Sequence, residues 1–173
     1  MNTSHTTLTG AAGEHFVMYR LLRMGYIAAL APVGVPNVDI IVTDIEGNRA
    51  AAIQVKTRNK KGSDGGWHMS LKHEEIVAKS IFYCFVELDD DPTVPSVVYV
   101  MPSKVVAAAL RETYQVWLSL PGKAGRTHID SKMRRLVPDY SRTIKLKHLA
   151  INSRSAGWME EYRERWDLIG LVV

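Results

Sequence analysis

Two apolar runs joined by one short turn constrain this chain more than anything else in it. Val38-Asp39-Ile40-Ile41-Val42-Thr43 and Ala50-Ala51-Ala52-Ile53-Gln54-Val55-Lys56-Thr57 both read as β-strands, and Asp44-Ile45-Glu46-Gly47-Asn48-Arg49 between them carries the Gly/Asn chemistry of a hairpin. With Glu46 and Gly47 at the turn centre, antiparallel partners have numbers that sum to 93, which sets Asp39 opposite Gln54. Residues i and i+2 of a strand share a face, so Lys56 joins them. The other face collects Val38, Ile40, Val42, Ile53 and Val55 and is read as a core face. A carboxylate, an amide and an ammonium therefore gather at one end of a hairpin whose opposite face is apolar. A solvated sheet face is the plain alternative, but Asp and Lys are poor strand formers and here interrupt β-branched runs.

A second acid is placed oddly. The stretch from Ala11 to Met24 reads as a helix with an apolar stripe through Ala11, Met18, Leu21 and Leu22. At 100° per residue Glu14 falls inside that stripe. A carboxylate is costly to bury there unless it meets a cation, a donor or a metal. Its alternative role is to sit in the first turn, where the helix dipole favours an acid.

Gly13-Glu14 opening a helix, Gly25-Tyr26 closing it, then Asp39 and Gln54-Val55-Lys56 resemble the PD-(D/E)xK nuclease superfamily. The Gln-x-Lys form is similar to the catalytic domain of Mrr-type restriction endonucleases, and the chain is near Holliday-junction resolvases in size. The resemblance covers roughly residues 10 to 105. It implies a restriction-endonuclease-like α/β fold, a central mixed sheet of about five strands flanked by helices, and Mg²⁺-dependent hydrolysis of DNA with Mn²⁺ as a substitute. The chain departs from the pattern in having Gln54 where an acid is usual, and Val38 where Pro directly precedes the Asp, with Pro36 two residues earlier. A non-cleaving nucleic-acid-binding or assembly module on the same fold is therefore the rival reading, followed by a structural protein.

The residue types suit phosphodiester hydrolysis in their own right. Such chemistry needs a more nucleophilic water and neutralised charge on the phosphoryl and leaving oxygens. Hard oxygen ligands hold Mg²⁺, which keeps several waters and takes one or two protein carboxylates. Asp39 would be the central ligand, with the Gln54 side-chain oxygen and Val55 backbone carbonyl beside it, and Glu14 binding directly or through water. Lys56 is a point charge for orienting water and stabilising anionic oxygen. Zinc is not indicated. His5, His15, His68, His73, His128 and His148 show no ligand spacing, and Cys84 is the single cysteine.

Length and charge agree with one domain. The 173 residues, 46% apolar, are read as a single nuclease-like domain: a core of about 10–120, then a basic segment and C-terminal helix over 121–173. Cys84 lies in the apolar run from Ile81 to Val86, which argues for a buried thiol in a reducing compartment. The start Met1-Asn2-Thr3-Ser4-His5 lacks a signal peptide's basic and apolar regions, and no apolar run approaches a membrane span, so a cytoplasmic location is expected. A net charge of +4 is compatible with nucleic acid without requiring it.

Further along, 26–33 is read as a first strand, 73–79 as a helix, 81–88 and 97–101 as strands, and 104–118 as a helix capped by Ser103. Arg58, Lys60 and Lys61 begin a Gly-rich loop that is either solvated or laid over a bound backbone. Asp89-Asp90-Asp91 before Pro92 is read as a turn in preference to a metal site. Pro121 to Ala150 carries Lys123, Arg126, Lys132, Arg134, Arg135, Arg142, Lys145 and Lys147 against Asp130 and Asp139. Arg134, Arg135, Arg142 and Lys145 are the expected DNA contacts, with a solvated basic face as the alternative. A last helix over 156–169 would put Trp158, Tyr162, Trp166 and Ile169 on one stripe, read as core packing first and a homodimer surface second.

Overall fold

The structure, a computed structural model, describes residues 5–61, 65–142, 144 and 149–170. Helix α1 (His5–Arg23) buries Gly13, Val17 and Leu21, a stripe at four-residue spacing. The stripe is thus turned from the one expected, and Leu22 stands 49% exposed. The helix stops at Gly25, whose φ of 87° takes the left-handed conformation that favours glycine. Gly25 N–H donates to Leu22 O, and Tyr26 N–H to Leu21 O, which satisfies the last carbonyls and turns the chain into the sheet.

Strands β1 (Ile27–Leu30), β2 (Ile40–Thr43) and β3 (Ala50–Asn59) form an antiparallel meander. Their register pairs Ile40 with Ile53 and Thr43 with Ala50, the numbering set by a turn at Glu46-Gly47. The buried Asp44 carboxylate caps that turn by accepting the Asn48 and Arg49 amides. A short strand β4 (Trp67–Ser70) and one 3₁₀ turn, Leu71–Glu74, lead to β5 (Ile81–Leu88), which runs parallel to β3. Strand β6 (Val97–Pro102) closes the sheet antiparallel to β5. The order β1-β2-β3-β5-β6 makes a five-stranded mixed sheet flanked by helices, the α/β architecture expected.

The two faces are covered by different elements. On one, α1 packs Val17 and Leu21 against Ile40, Val42, Ile53, Val55, Cys84, Val86 and Val100. On the other, helix α2 (Ser103–Ser119) and a two-stranded sheet of β4 with β7 (Met133–Leu136) enclose Trp67, Tyr83, Phe85, Met101, Leu110 and Leu136. A short helix α3 (Leu149–Asn152) contributes Ile151 to a satellite cluster with Val116, Val137 and Tyr140. None of the described helices is long and apolar enough to cross a membrane.

Three expectations are corrected. The helix over 73–79 is only the 3₁₀ turn, because Ala78 is held by Ser103 and Ser80 O already accepts the Ala52 amide at the entrance to β5. Ser103 accordingly bonds Ala78 N and O through its hydroxyl and does not cap α2. The helix over 156–169 is replaced by 3₁₀ turns at Glu160–Tyr162 and Trp166–Ile169. Between them Arg163 pairs with Tyr99 and Glu164 N–H donates to Val98 O, so the edge of β6 takes backbone bonds that a helix would have kept. The aromatic stripe is split as a result. Trp166 and Ile169 join the α1 face, while Trp158 and Tyr162 join the other.

Glu164 fastens this C-terminal segment to α1. Its carboxylate accepts from Arg20 at 2.5 Å and from the Trp166 indole at 2.7 Å, and the Arg20 guanidinium lies over the Trp166 ring. Glu164→Ala is expected to lower stability by about 1–2 kcal/mol, the scale of losing hydrogen bonds to a half-exposed charge. That corresponds to a Tm drop of roughly 3–7 °C, read by circular dichroism. An unchanged Tm would show that the backbone bonds to β6 and the apolar contacts hold the segment without this carboxylate.

Candidate functional site

Strand β3 outruns its neighbour β2. The β2–β3 ladder ends at Ile40–Ile53, while β3 continues to Asn59 beside β5. Asp39 stands one residue before β2, so the strict pairing with Gln54 is not part of the ladder. Asp39 N–H donates to Ile53 O instead, and its carboxylate Oδ2 accepts the Val55 amide at 2.7 Å. The side chain thus satisfies a strand donor that would otherwise be orphaned where the two strands part. Alternation from Ile40 and Ile53, both fully buried on the α1 face, puts Asp39 and Gln54 on the opposite face. Lys56 follows on that face, in register with Phe85, and Gln54 is in register with Tyr83.

Glu14, Asp39 and Lys56 act on one another electrostatically. Burial first, then the Asp39 carboxylate, holds the Glu14 carboxyl above its ordinary value, with His15 and Lys56 pulling the other way. Burial lowers Lys56, and Lys72 adds to this, while Asp39 and Glu14 favour its charged form. Gln54 is 6% exposed, and its Oε1 has no hydrogen-bond partner among the described residues. A buried acceptor left open is uncommon and asks for a donor or a cation. Among the described residues no three His, Cys, Asp or Glu side chains form a metal-holding group. The donor set is therefore two carboxylates and an amide oxygen, all hard, which fits a Mg²⁺-type ion that keeps several waters.

His73 and Tyr83 also border the notch and were not found by sequence reasoning. His73 Nδ1 lies 2.8 Å from the Tyr83 hydroxyl. Burial, with Lys56 and Lys72 nearby, lowers His73 to about 4. Tyr83 sat inside an apolar run, and only the parallel β3–β5 register sets it beside Gln54.

The expected DNA contacts divide by burial. Arg134 is corrected outright: it is 5% exposed, paired with Glu74, bonded to Ser131 O and Met133 O, and stacked on Tyr114. A guanidinium so enclosed is not presented at the surface to a phosphate. Arg58 is also turned inward, its side chain 14% exposed, paired with Glu87 and 4.1 Å above the Trp67 ring. Lys60 and Lys61 are exposed and pair with Asp89 and Asp90, so the acidic turn is their counter-charge. Arg142 is 85% exposed beside Asp139, and Arg135 is half-buried on β7. Lys145 lies outside the described residues.

A cavity of about 490 Å³ lies apart from the notch, between α2 and β7, lined by Leu110, Tyr114, Trp117, Met133 and Arg135 among others. The hydroxyls of its Thr113, Tyr114 and Tyr140 are all engaged internally. The notch, by contrast, holds Gln54 Oε1, unpaired among the described residues.

No protein-family model matches the chain, and no curated protein does. Among solved structures it is similar to a bacterial homing endonuclease, at 19% identity and a TM-score of 0.49, with 96% of this chain and 92% of that one covered. It is also similar to a Holliday junction resolvase from the archaeal hyperthermophile Archaeoglobus fulgidus, at 15% identity and a TM-score of 0.42, with 74% and 83% covered. Likenesses this distant assign no chemistry, which rests on the notch's own residues.

The His73 environment predicts a pH dependence. A histidine lowered to about 4 in the fold and near 6.5 when unfolded binds more protons unfolded between those values. Its contribution is complete above about pH 6.5 and is lost as pH falls toward 4, amounting to at most about 3 kcal/mol. His73→Gln, which cannot charge, is expected to flatten the stability profile in that window by denaturant titration. Parallel profiles for the two proteins would refute it.

Proposed function

We propose that the protein is a restriction-endonuclease-like nuclease that hydrolyses DNA phosphodiester bonds with a divalent cation, at the notch where β2 and β3 part. The observation that carries this is the grouping of Glu14, Asp39 and Lys56 with the open, buried Gln54 Oε1. Asp39, Gln54 Oε1, the Val55 carbonyl and Glu14 would hold Mg²⁺, or Mn²⁺ in its place. The bound ion would supply charge neutralisation at the phosphoryl group and a more acidic water.

The chain's own groups do the rest. The Val55 amide fixes one oxygen of Asp39, which orients the carboxylate before any ligand arrives. Lys56, half-buried and favoured in its charged form by both acids, sets a positive charge beside the reacting centre, where low dielectric strengthens it. Hydrolysis forms one P–O bond to water and breaks one to a sugar oxygen, which takes its proton from solvent. Lys60, Lys61 and Arg142 are the exposed cations suited to backbone phosphates, because surface ion pairs are weak enough to exchange partners.

The second reading, a DNA-binding module without cleavage, is favoured by one specific feature. Gln54 offers a neutral oxygen where a third carboxylate would bind metal more strongly. The two readings part on metal and mutation. Asp39→Asn keeps an acceptor for the Val55 amide, so the fold should stand while Mg²⁺- or Mn²⁺-supported cleavage falls about 10²–10³-fold, the scale of losing one electrostatic stabiliser. Undiminished cleavage by Asp39→Asn would remove the notch from the chemistry. Wild-type protein that binds DNA, cleaves nothing in either metal, and gains cleavage with Gln54→Glu would establish the binding module.

A further inference from the structure

Helix α1 meets β3 closely at Gly13. A Cβ placed on Gly13 would lie 1.9 Å from Thr57 Oγ1 and 2.9 Å from Thr57 Cβ and Cγ2. Close-packed interiors accommodate no such contact, so the helix reaches this depth only because residue 13 has no side chain. The requirement is local: at Gly10, almost one turn earlier, an added Cβ would meet nothing within 4 Å.

The two residues in contact are the chain neighbours of two charged groups that influence each other electrostatically, Glu14 after Gly13 and Lys56 before Thr57. Glu14 sits where burial and the Asp39 carboxylate both disfavour its charge. No hydrogen bond ties its carboxylate to another described residue, so the backbone position of α1 alone holds it there. That position is set below by Val17 and Leu21, both fully buried, and above by the Gly13–Thr57 contact.

We infer that Gly13 is a positioning residue for the proposed reaction: its bare backbone sets the depth of α1 on β3, with Thr57 as the stop, and so keeps the Glu14 carboxylate at the notch. This rests on the nuclease reading. A methyl group at 13 must lift the helix, since Thr57 is held in the interior of β3 between Lys56 and Arg58, both paired to β5. Misplacement of about 1 Å at a catalytic group costs on the order of a hundredfold in rate.

The test is a size swap. Gly13→Ala is expected to lower Mn²⁺-supported cleavage of a labelled duplex about a hundredfold, at a temperature where circular dichroism finds it fully folded. Gly13→Ala with Thr57→Gly, which moves the added bulk out of the way, should return the rate to within a few-fold of wild type. Gly10→Ala should leave it unchanged. Failure of Thr57→Gly to restore the rate of a folded Gly13→Ala overturns the inference. A second readout needs no activity. Gly13→Ala should lower the Tm of otherwise wild-type protein, and lower that of a Thr57→Gly protein by clearly less, because the side chain it strikes is gone. Equal decrements in both backgrounds also overturn it. Wild-type protein that cleaves nothing while the decrements differ would reject the nuclease reading and leave Gly13 as the residue that sets the depth of α1.

Discussion

The bond from the Val55 amide to the Asp39 carboxylate fixes where two strands stop being a sheet. A strand that outruns its neighbour exposes a row of unpaired donors and acceptors, and in a partly buried place each must be satisfied. Asp39 meets one of these with a side chain, which ends the β2–β3 ladder at Ile40–Ile53 and leaves β3 free to run on beside β5. The gap so made is what α1 closes over at Gly13, and what Gln54 and Lys56 face from the far side. The end of the β2–β3 ladder and the place of Asp39 beside Val55 therefore follow from one substitution of a carboxylate oxygen for a backbone carbonyl.

Part of this protein's charge is enclosed. Arg134 with Glu74 and Arg58 with Glu87 are enclosed pairs, and each guanidinium also lies over an aromatic ring. A buried pair of this kind does little for stability against an apolar equivalent, but removing one partner leaves an uncompensated charge. Both pairs tie β-strands to elements distant in sequence: Arg58 of β3 reaches Glu87 of β5, and Arg134 of β7 reaches the 3₁₀ turn that carries His73. The basic excess of the segment after Pro121 is thus partly structural. What remains for a polyanion is the exposed set, among which Lys60, Lys61 and Arg142 already hold surface acids loosely.

The hairpin was legible because both of its signals are local. Period-two alternation and a Gly-centred turn fix a register without reference to the rest of the chain, and the observed pairing of Ile40 with Ile53 is the one they imply. β5, β6 and α2 were legible for the same reason, as long runs of one periodicity. β4 with β7 was not, since their pairing joins segments far apart in sequence and Trp67–Ser70 is only four residues long. The spacing of Trp158, Tyr162, Trp166 and Ile169 mimicked a helix, but the edge of β6 offered backbone partners that no local pattern records. His73 and Tyr83 were invisible for a related reason. A parallel partner is chosen through a crossover, and the sequence of β3 does not say which strand will lie beside Gln54.

Gln54 gains a physical rationale from its neighbours. Glu14 and Asp39 already oppose one another in a half-buried place, and Lys56 is the adjoining ammonium whose own charge burial disfavours. A third carboxylate at 54, fully buried, would add repulsion that a single lysine does not balance, and its proton affinity would rise in the absence of an ion. An amide lowers the electrostatic cost at the notch and leaves one oxygen without a hydrogen-bond partner among the described residues. The same exchange weakens the attraction for a divalent cation, because a carbonyl dipole replaces a full charge. Electrostatic stability of the fold and affinity for a cation thus pull residue 54 in opposite directions.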